Sequence, residues 1–167
     1  MPLSASQQTA LKADILLDPA LSSQPLTSDG AFAIAAAYNL DAVPDFWVWR
    51  TNIPVQEIYE RTTSDGTVWS WTTYIARSAA ERDCWREVTG RDTVNASLPN
   101  LRQAIADIFS GAGGATQRTH LTTIARRKAT RAEKLFATGT GSTASPATMG
   151  YEGALQYSDV QAVRSAP

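Results

Sequence analysis

Apolar residues recur at helical spacing along most of the chain, and each run closes on a stop signal. In SQQTALKADILLDP, Leu11, Ile15 and the Leu16/Leu17 pair follow a helical period, Ser4 or Ser6 supplies a cap, and Asp18-Pro19 ends the run. A turn-rich connector covers 21–28. Ser28 then stands as cap to DGAFAIAAAYN, whose Phe32, Ala35, Ala36 and Tyr38 or Asn39 make a face dominated by alanine. Small side chains let a neighbouring helix approach closely, so this helix is expected to be buried. The next stretch, VPDFWVWRTNIPVQEIY, changes period. Phe46, Val48 and Arg50 alternate with Trp47, Trp49 and Thr51, and the residue types favour a short strand or an extended crossing. Pro54 fits the first turn of a short helix, VQEIYER, because its missing N–H costs nothing there. SDG at 64–66 is a turn.

Three longer helices are expected beyond that turn. In SWTTYIARSAAERDCWREVTG, Trp71, Tyr74, Ile75, Ser78, Trp85 and Val88 share a stripe, and Gly90 closes the helix. In ASLPNLRQAIADIFSG, Ser97 caps, Pro99 lies in the first turn, and Leu101, Ile105, Ile108 and Phe109 form the apolar face, with GAGG as the stop. In THLTTIARRKATRAEKLFATG, Leu121, Ile124, Ala125, Ala129, Ala132, Leu135 and Phe136 keep the 3.6-residue period as far as Gly139. The fold class is therefore mainly α: a helical bundle over residues 1–138 with one short β-like or irregular segment. Residues 139–167 follow as an extended C-terminal docking tail, expected to lack order in the isolated chain.

Composition narrows the classes. The chain has 167 residues, 43% of them hydrophobic, and a mean hydropathy of -0.23, which suits one globular domain large enough for a core. No window approaches the roughly 18 continuous apolar residues of a membrane span. The N-terminal MPLSASQQTALKADILLDP lacks the basic and apolar regions of a signal peptide, so a soluble product made in the cytoplasm is expected. Fifteen basic against sixteen acidic residues argue against a protein whose main task is coating nucleic acid.

Cys84 and His120 are the only residues of their types. An intrachain disulfide is impossible, and the usual His/Cys metal sets cannot be assembled. A Cys84–His120 pair has no family signature around it, and the glycines at 111, 113 and 114 precede no Lys-Ser/Thr that would make a phosphate-binding loop. Neither an enzyme nor a cofactor is expected.

Two features point toward binding. Arg127, Arg131 and Lys134 recur at i, i+4, i+7 on the expected helix 119–137, a surface for an acidic partner or for phosphate, or simply a solvated face. Four of the five tryptophans fall between 47 and 71, and one face of the Trp47/Trp49 pair needs cover that a second subunit could supply. Beyond the GSTASP linker, Met149, Tyr151, Leu155, Tyr157 and Val160 look like anchors held away from the body. They would fold back onto the body or dock into a neighbour as an added strand or a short helix.

DGAFAIAAAYN, PDFWVWRTNIPVQEI and, above all, ATRAEKLFATGTGSTASPATMGYEGALQYSDVQAV resemble a family of small virion structural proteins of tailed bacteriophages and prophages. The resemblance implies a protein of the head–tail junction, an adaptor that forms a ring below the portal. Such a ring matches the portal's twelvefold symmetry, so it would be a homo-oligomer of twelve subunits. The C-terminal tail would then grip the portal or an adjacent subunit, with Tyr151, Leu155 and Tyr157 buried in that contact. The lower rim would accept a tail or stopper component. Arg127, Arg131 and Lys134 would face subunit or portal, with a passing contact to packaged DNA as the weaker role. The rival from another class is a DNA-binding regulatory protein using the basic helix 119–137.

Overall fold

The structure is a computed structural model and describes residues 3–165. Its elements run α1 (Ala5–Leu17), α2 (Pro19–Ser22), α3 (Ser28–Tyr38), β1 (Trp47–Trp49), β2 (Ile53–Pro54), α4 (Val55–Glu60), α5 (Trp71–Ile75), α6 (Ala79–Thr89) and β3 (Thr93–Val94). They continue with α7 (Pro99–Ile108), a 3-10 turn at Ala112–Gly114, α8 (Ala115–Ile124), β4 (Arg126–Lys128), α9 (Arg131–Phe136) and α10 (Tyr157–Ser165). The class is mainly α, as the periodicity predicts. Two small two-stranded sheets join it, β1 with β4 and β2 with β3, the latter antiparallel with Ile53 opposite Val94 and Pro54 opposite Thr93.

The chain divides into two compact units, residues 3–48 with 128–165, and residues 49–127. The position expected to separate body from tail, 138–139, falls inside the first unit.

The first unit is built on α1, α3 and α10. Ser4 and Gln7 form a capping box that starts α1, which buries Leu11 and Ile15 but leaves Leu16 and Leu17 outside. Asp18 ends α1 and caps α2 by accepting the Ala20 N–H at 3.0 Å. The α3 cap is Thr27 rather than Ser28, and its buried face is Ala31, Ile34, Ala35 and Tyr38. Phe32 and Ala36 therefore lie outside, one step round from the expected face. The 3.6-residue period leaves that phase open in a helix this rich in alanine, because nearly every position is apolar enough to go inside.

The extended tail is not found. Among the described residues of 139–167, Ala147 is buried against Val48 and Ala129, Thr138 and Thr148 exchange an antiparallel bridge, and 157–165 form α10. Leu155, Val160 and Val163 are buried with Leu11, Ile34 and Tyr38 in one core. The Asn39 side chain clasps the approach: its Oδ1 accepts the Leu155 N–H at 2.7 Å, and its Nδ2 donates to the Leu155 carbonyl at 3.0 Å. The physical reason is that α1 and α3 cannot cover each other's apolar faces alone, and α10 supplies the third wall. Gly141 makes the return path. Its φ is +67°, and a Cβ there would stand 2.1 Å from the Phe46 ring.

The second unit encloses Trp69, Trp85, Ile108, Phe109, Leu121 and Ile124. The helix expected at 70–90 is two helices, because Ser78 and Glu81 form a capping box that starts α6 anew. Ser97 is not a helix cap; its N–H and hydroxyl both bond Asn95 Oδ1, and α7 begins at Pro99. The GAGG stretch makes the 3-10 turn, and α8 begins at Ala115. Gly114 is fixed by space, since a Cβ there would lie 1.9 Å from the Phe109 carbonyl oxygen. The helix expected at 119–139 is also divided. It ends at Ile124, gives way to β4, and restarts as α9 under a Thr130–Glu133 capping box.

Candidate interaction surfaces

Backbone pairing builds a groove of the first unit. The Ala42 N–H donates to the Ala129 carbonyl and the Arg131 N–H donates to the Leu40 carbonyl, both at 2.9 Å, so the chain after α3 is stitched to the start of α9. A groove of about 670 Å³ lies there, walled by Leu40, Val43, Arg131, Lys134 and Asp14. The Val43–Pro44 peptide on its rim is cis. Leu40 is 67% and Val43 90% exposed, so apolar surface stands open beside charge.

Arg131 organises the charged wall. Its guanidinium bonds Asp18 at 2.8 Å and Asp14 at 2.9 Å and lies 4.6 Å from the centre of the Tyr38 ring. Tyr38 in turn donates to Asp14 at 2.5 Å. Burial works against the Arg131 charge, but the two carboxylates outweigh it and the net shift is upward. Asp18 is lowered, chiefly by its bond from Arg131. Burial, reinforced by Asp14, pushes the Tyr38 phenol above its ordinary range. The network locks α9 to α1 and α3. Lys134 is held more loosely, 3.5 Å from the Val43 carbonyl and 5.8 Å from the Phe46 ring centre.

The basic stripe of the sequence is thereby divided. Arg131 and Lys134 share the groove, whereas Arg127 lies in β4 and belongs to the second unit. No single basic helix spans 119–137, because β4 interrupts it. The expected tail anchors divide too. Leu155 and Val160 are spent in the core, Met149 and Tyr151 are half-buried beside Ala147 and Phe136, and Tyr157 is 39% exposed.

Two further apolar surfaces were not signalled by the sequence reading. On α3 the outer face carries Phe32, Ala33 and Ala36, with Phe32 55% exposed and stacked on Tyr157 at 4.2 Å. In the second unit Trp71 and Ile75 stand on one side of α5, 55% and 66% exposed, while Trp71 leans on Tyr59 at 5.3 Å. An apolar helix face at i, i+1 and i+4 was legible on α3, but the exposure was not.

Cys84 and His120 stand in different environments. Cys84 is exposed on α6, while His120 is wholly buried and its Nε2–H donates to the Ile58 carbonyl at 2.8 Å. Among the described residues no three His, Cys, Asp or Glu side chains gather as metal ligands, and no helix is long and apolar enough to cross a membrane. Compared with protein-family models, curated proteins and solved structures, the chain gives no match.

Proposed function

We propose that this chain is a structural assembly protein of a tailed-phage head–tail junction, an adaptor acting as a homo-oligomeric ring of twelve subunits below the portal. The sequence resemblance supplies the family. The observation that supports a binding role for the folded body is the groove at the α3–α9 corner, where Leu40 and Val43 stand exposed beside Arg131 and Lys134. Monomeric proteins seldom leave such apolar residues together on a rigid, charged rim unless something covers them. Because Leu155 and Val160 belong to the core, portal contact falls to this groove and to the still exposed Tyr157, rather than to a free tail. The work is geometric: body contacts close the ring, the groove meets the portal, and the opposite rim receives a tail or stopper component.

The test is binding of the full chain to the purified portal from the same genome, read as particle mass. A rise equal to a ring of subunits is expected. Val43→Asp and Lys134→Glu should each weaken binding at least about tenfold, the loss expected for a contact of ~1.4 kcal/mol or more. A full-length chain that leaves the portal mass unchanged would overturn the reading.

A further inference from the structure

A pocket of about 160 Å³ opens in the first unit where α1, the connector between α2 and α3, and the end of α10 meet. Ile15, Leu16 and Leu26 make its apolar lining, and Lys12, Ser22 and Arg164 its polar part. Ile15 is buried, whereas Leu16 is 66% and Leu26 83% exposed, so the apolar surface continues from the pocket onto its rim.

Two contacts fix the walls. Gly30 lets the connector lie directly on α3, since a Cβ there would stand 2.0 Å from the Pro25 carbonyl oxygen. Arg164 reaches across from α10 and donates to the Gln24 carbonyl at 2.6 Å and the Pro25 carbonyl at 2.8 Å, just before Leu26. Both acceptors are neutral, so the guanidinium keeps its full positive charge. A guanidinium has about five N–H donors, so some remain for another acceptor.

Lys12 and Arg164 place two cations in the lining, and no acid stands among the lining residues. The acids of the neighbouring segments keep their charges but lie outside it. Asp14 and Asp18 both bond Arg131, Asp159 accepts the Gln156 N–H at 3.2 Å, and Asp29 belongs to the first turn of α3. Size narrows the occupant further. A space of about 150 Å³ holds one benzene ring, whereas cofactor-sized sites need roughly 300–1,000 Å³. The pocket therefore takes one ring or one branched aliphatic group, with an anion beside it.

We infer that this pocket captures the carboxyl terminus of a partner peptide whose last side chain is apolar, the carboxylate meeting Lys12 and Arg164 while the side chain enters against Ile15. A peptide end carries both groups on one Cα, which is the pairing that this lining complements. The rim favours a peptide over a small free acid. Leu16 and Leu26 offer exposed apolar surface that a single residue would leave uncovered, and the residues before the last lie over it. Hydrogen bonds to an ionised partner are roughly twice as strong as neutral ones, so the terminal charge dominates recognition. The site shares no residue with the Leu40–Lys134 groove and does not rest on the portal reading.

The experiment titrates the full, isotope-labelled chain with acetyl-Ala-Ala-Val-Leu and with its carboxyl-terminal amide, followed by amide proton–nitrogen spectra. Sub-millimolar binding of the acid is expected, at least about tenfold tighter than the amide, with the largest shifts at Ile15, Leu16, Ser22 and Leu26. Glycine in place of the last leucine should weaken binding at least about tenfold, because the apolar group is lost. Acetyl-leucine alone should bind more weakly than the tetrapeptide. Lys12→Gln should remove the preference for acid over amide and leave the amide's affinity as it was. Leu26→Glu, on an exposed position, should weaken the acid at least about tenfold, and it serves if Lys12→Gln unfolds. An amide or a glycine end that binds as tightly as the acid, or acetyl-leucine that matches the tetrapeptide, would overturn the inference. So would variants that bind like the parent, shifts centred on Leu40 and Val43, or no binding of the acid by about 5 mM.

Discussion

Asn39 shows how much one side chain can decide. Its amide is bonded on both sides to the Leu155 backbone, and that clasp holds the return of the C-terminal segment. Asn39→Ala should cost about 1–3 kcal/mol, the penalty for leaving paired backbone groups unsatisfied, measured as a shift of the urea midpoint. Gly141→Ala should cost about 1–2 kcal/mol, because an alanine at φ +67° is strained and its methyl meets the Phe46 ring. Glu57 is held between two arginines in the second unit. Arg50 bonds both of its oxygens, at 2.6 and 2.7 Å, Arg61 adds a third bond, and together they outweigh burial and hold its pKa at about 2. A depressed acid stabilises the fold fully above its unfolded pKa, near 4.5, and loses that contribution as pH falls toward about 2. Denaturant midpoints measured from pH 5 downward should therefore fall through this window. Glu57→Gln should flatten that limb and cost about 1–2 kcal/mol at neutral pH.

At the scale of elements, the C-terminal segment is the chief correction. Leu155, Val160 and Val163 are buried, and removing each would forfeit roughly 1.5–3 kcal/mol. Their sum is comparable with the whole stability of an ordinary domain. A 1–138 truncation should therefore lose the first unit's share of the thermal transition while the second unit, residues 49–127, keeps its own, and the intact chain should resist proteolysis through α10. A truncation that melts with the unfolding enthalpy of the full chain would refute this view of α10 as a wall of the first unit's core. The helix breaks have a different cause. Ser78-x-x-Glu81 and Thr130-x-x-Glu133 are capping boxes written in the sequence, yet the apolar period runs straight through both. Periodicity alone cannot distinguish one long helix from two that share a phase, and it is the capping box that marks where the second helix begins. Loss of either cap, as Ser78→Ala or Thr130→Ala, should cost about 1 kcal/mol by thermal melt.

Across the whole molecule, a net charge of -1 conceals an acidic unit and an arginine-only unit. Portal binding through the groove that carries Lys134 should weaken as salt rises from about 50 to about 500 mM, since exposed charges are screened over a Debye length that shrinks through this range. Light scattering at the two salt concentrations reads it directly.

Sequence by itself determined the mainly α class, the capped α1, an extended segment about Trp47 and Trp49 and most of the apolar positions, because these depend on local spacing and caps. Tertiary structure alone decided the rest. Which face of alanine-rich α3 turns inward depends on what packs there, and α10 packs there. Whether Met149, Tyr151, Leu155, Tyr157 and Val160 reach outward or fold home depends on whether their own body has an uncovered apolar wall, and it does. Arg131 and Lys134 meet in one groove while Arg127 does not, because strand pairing at β4 breaks the helix that would have aligned them. Long-range pairing decides such questions, and no window of local sequence records it.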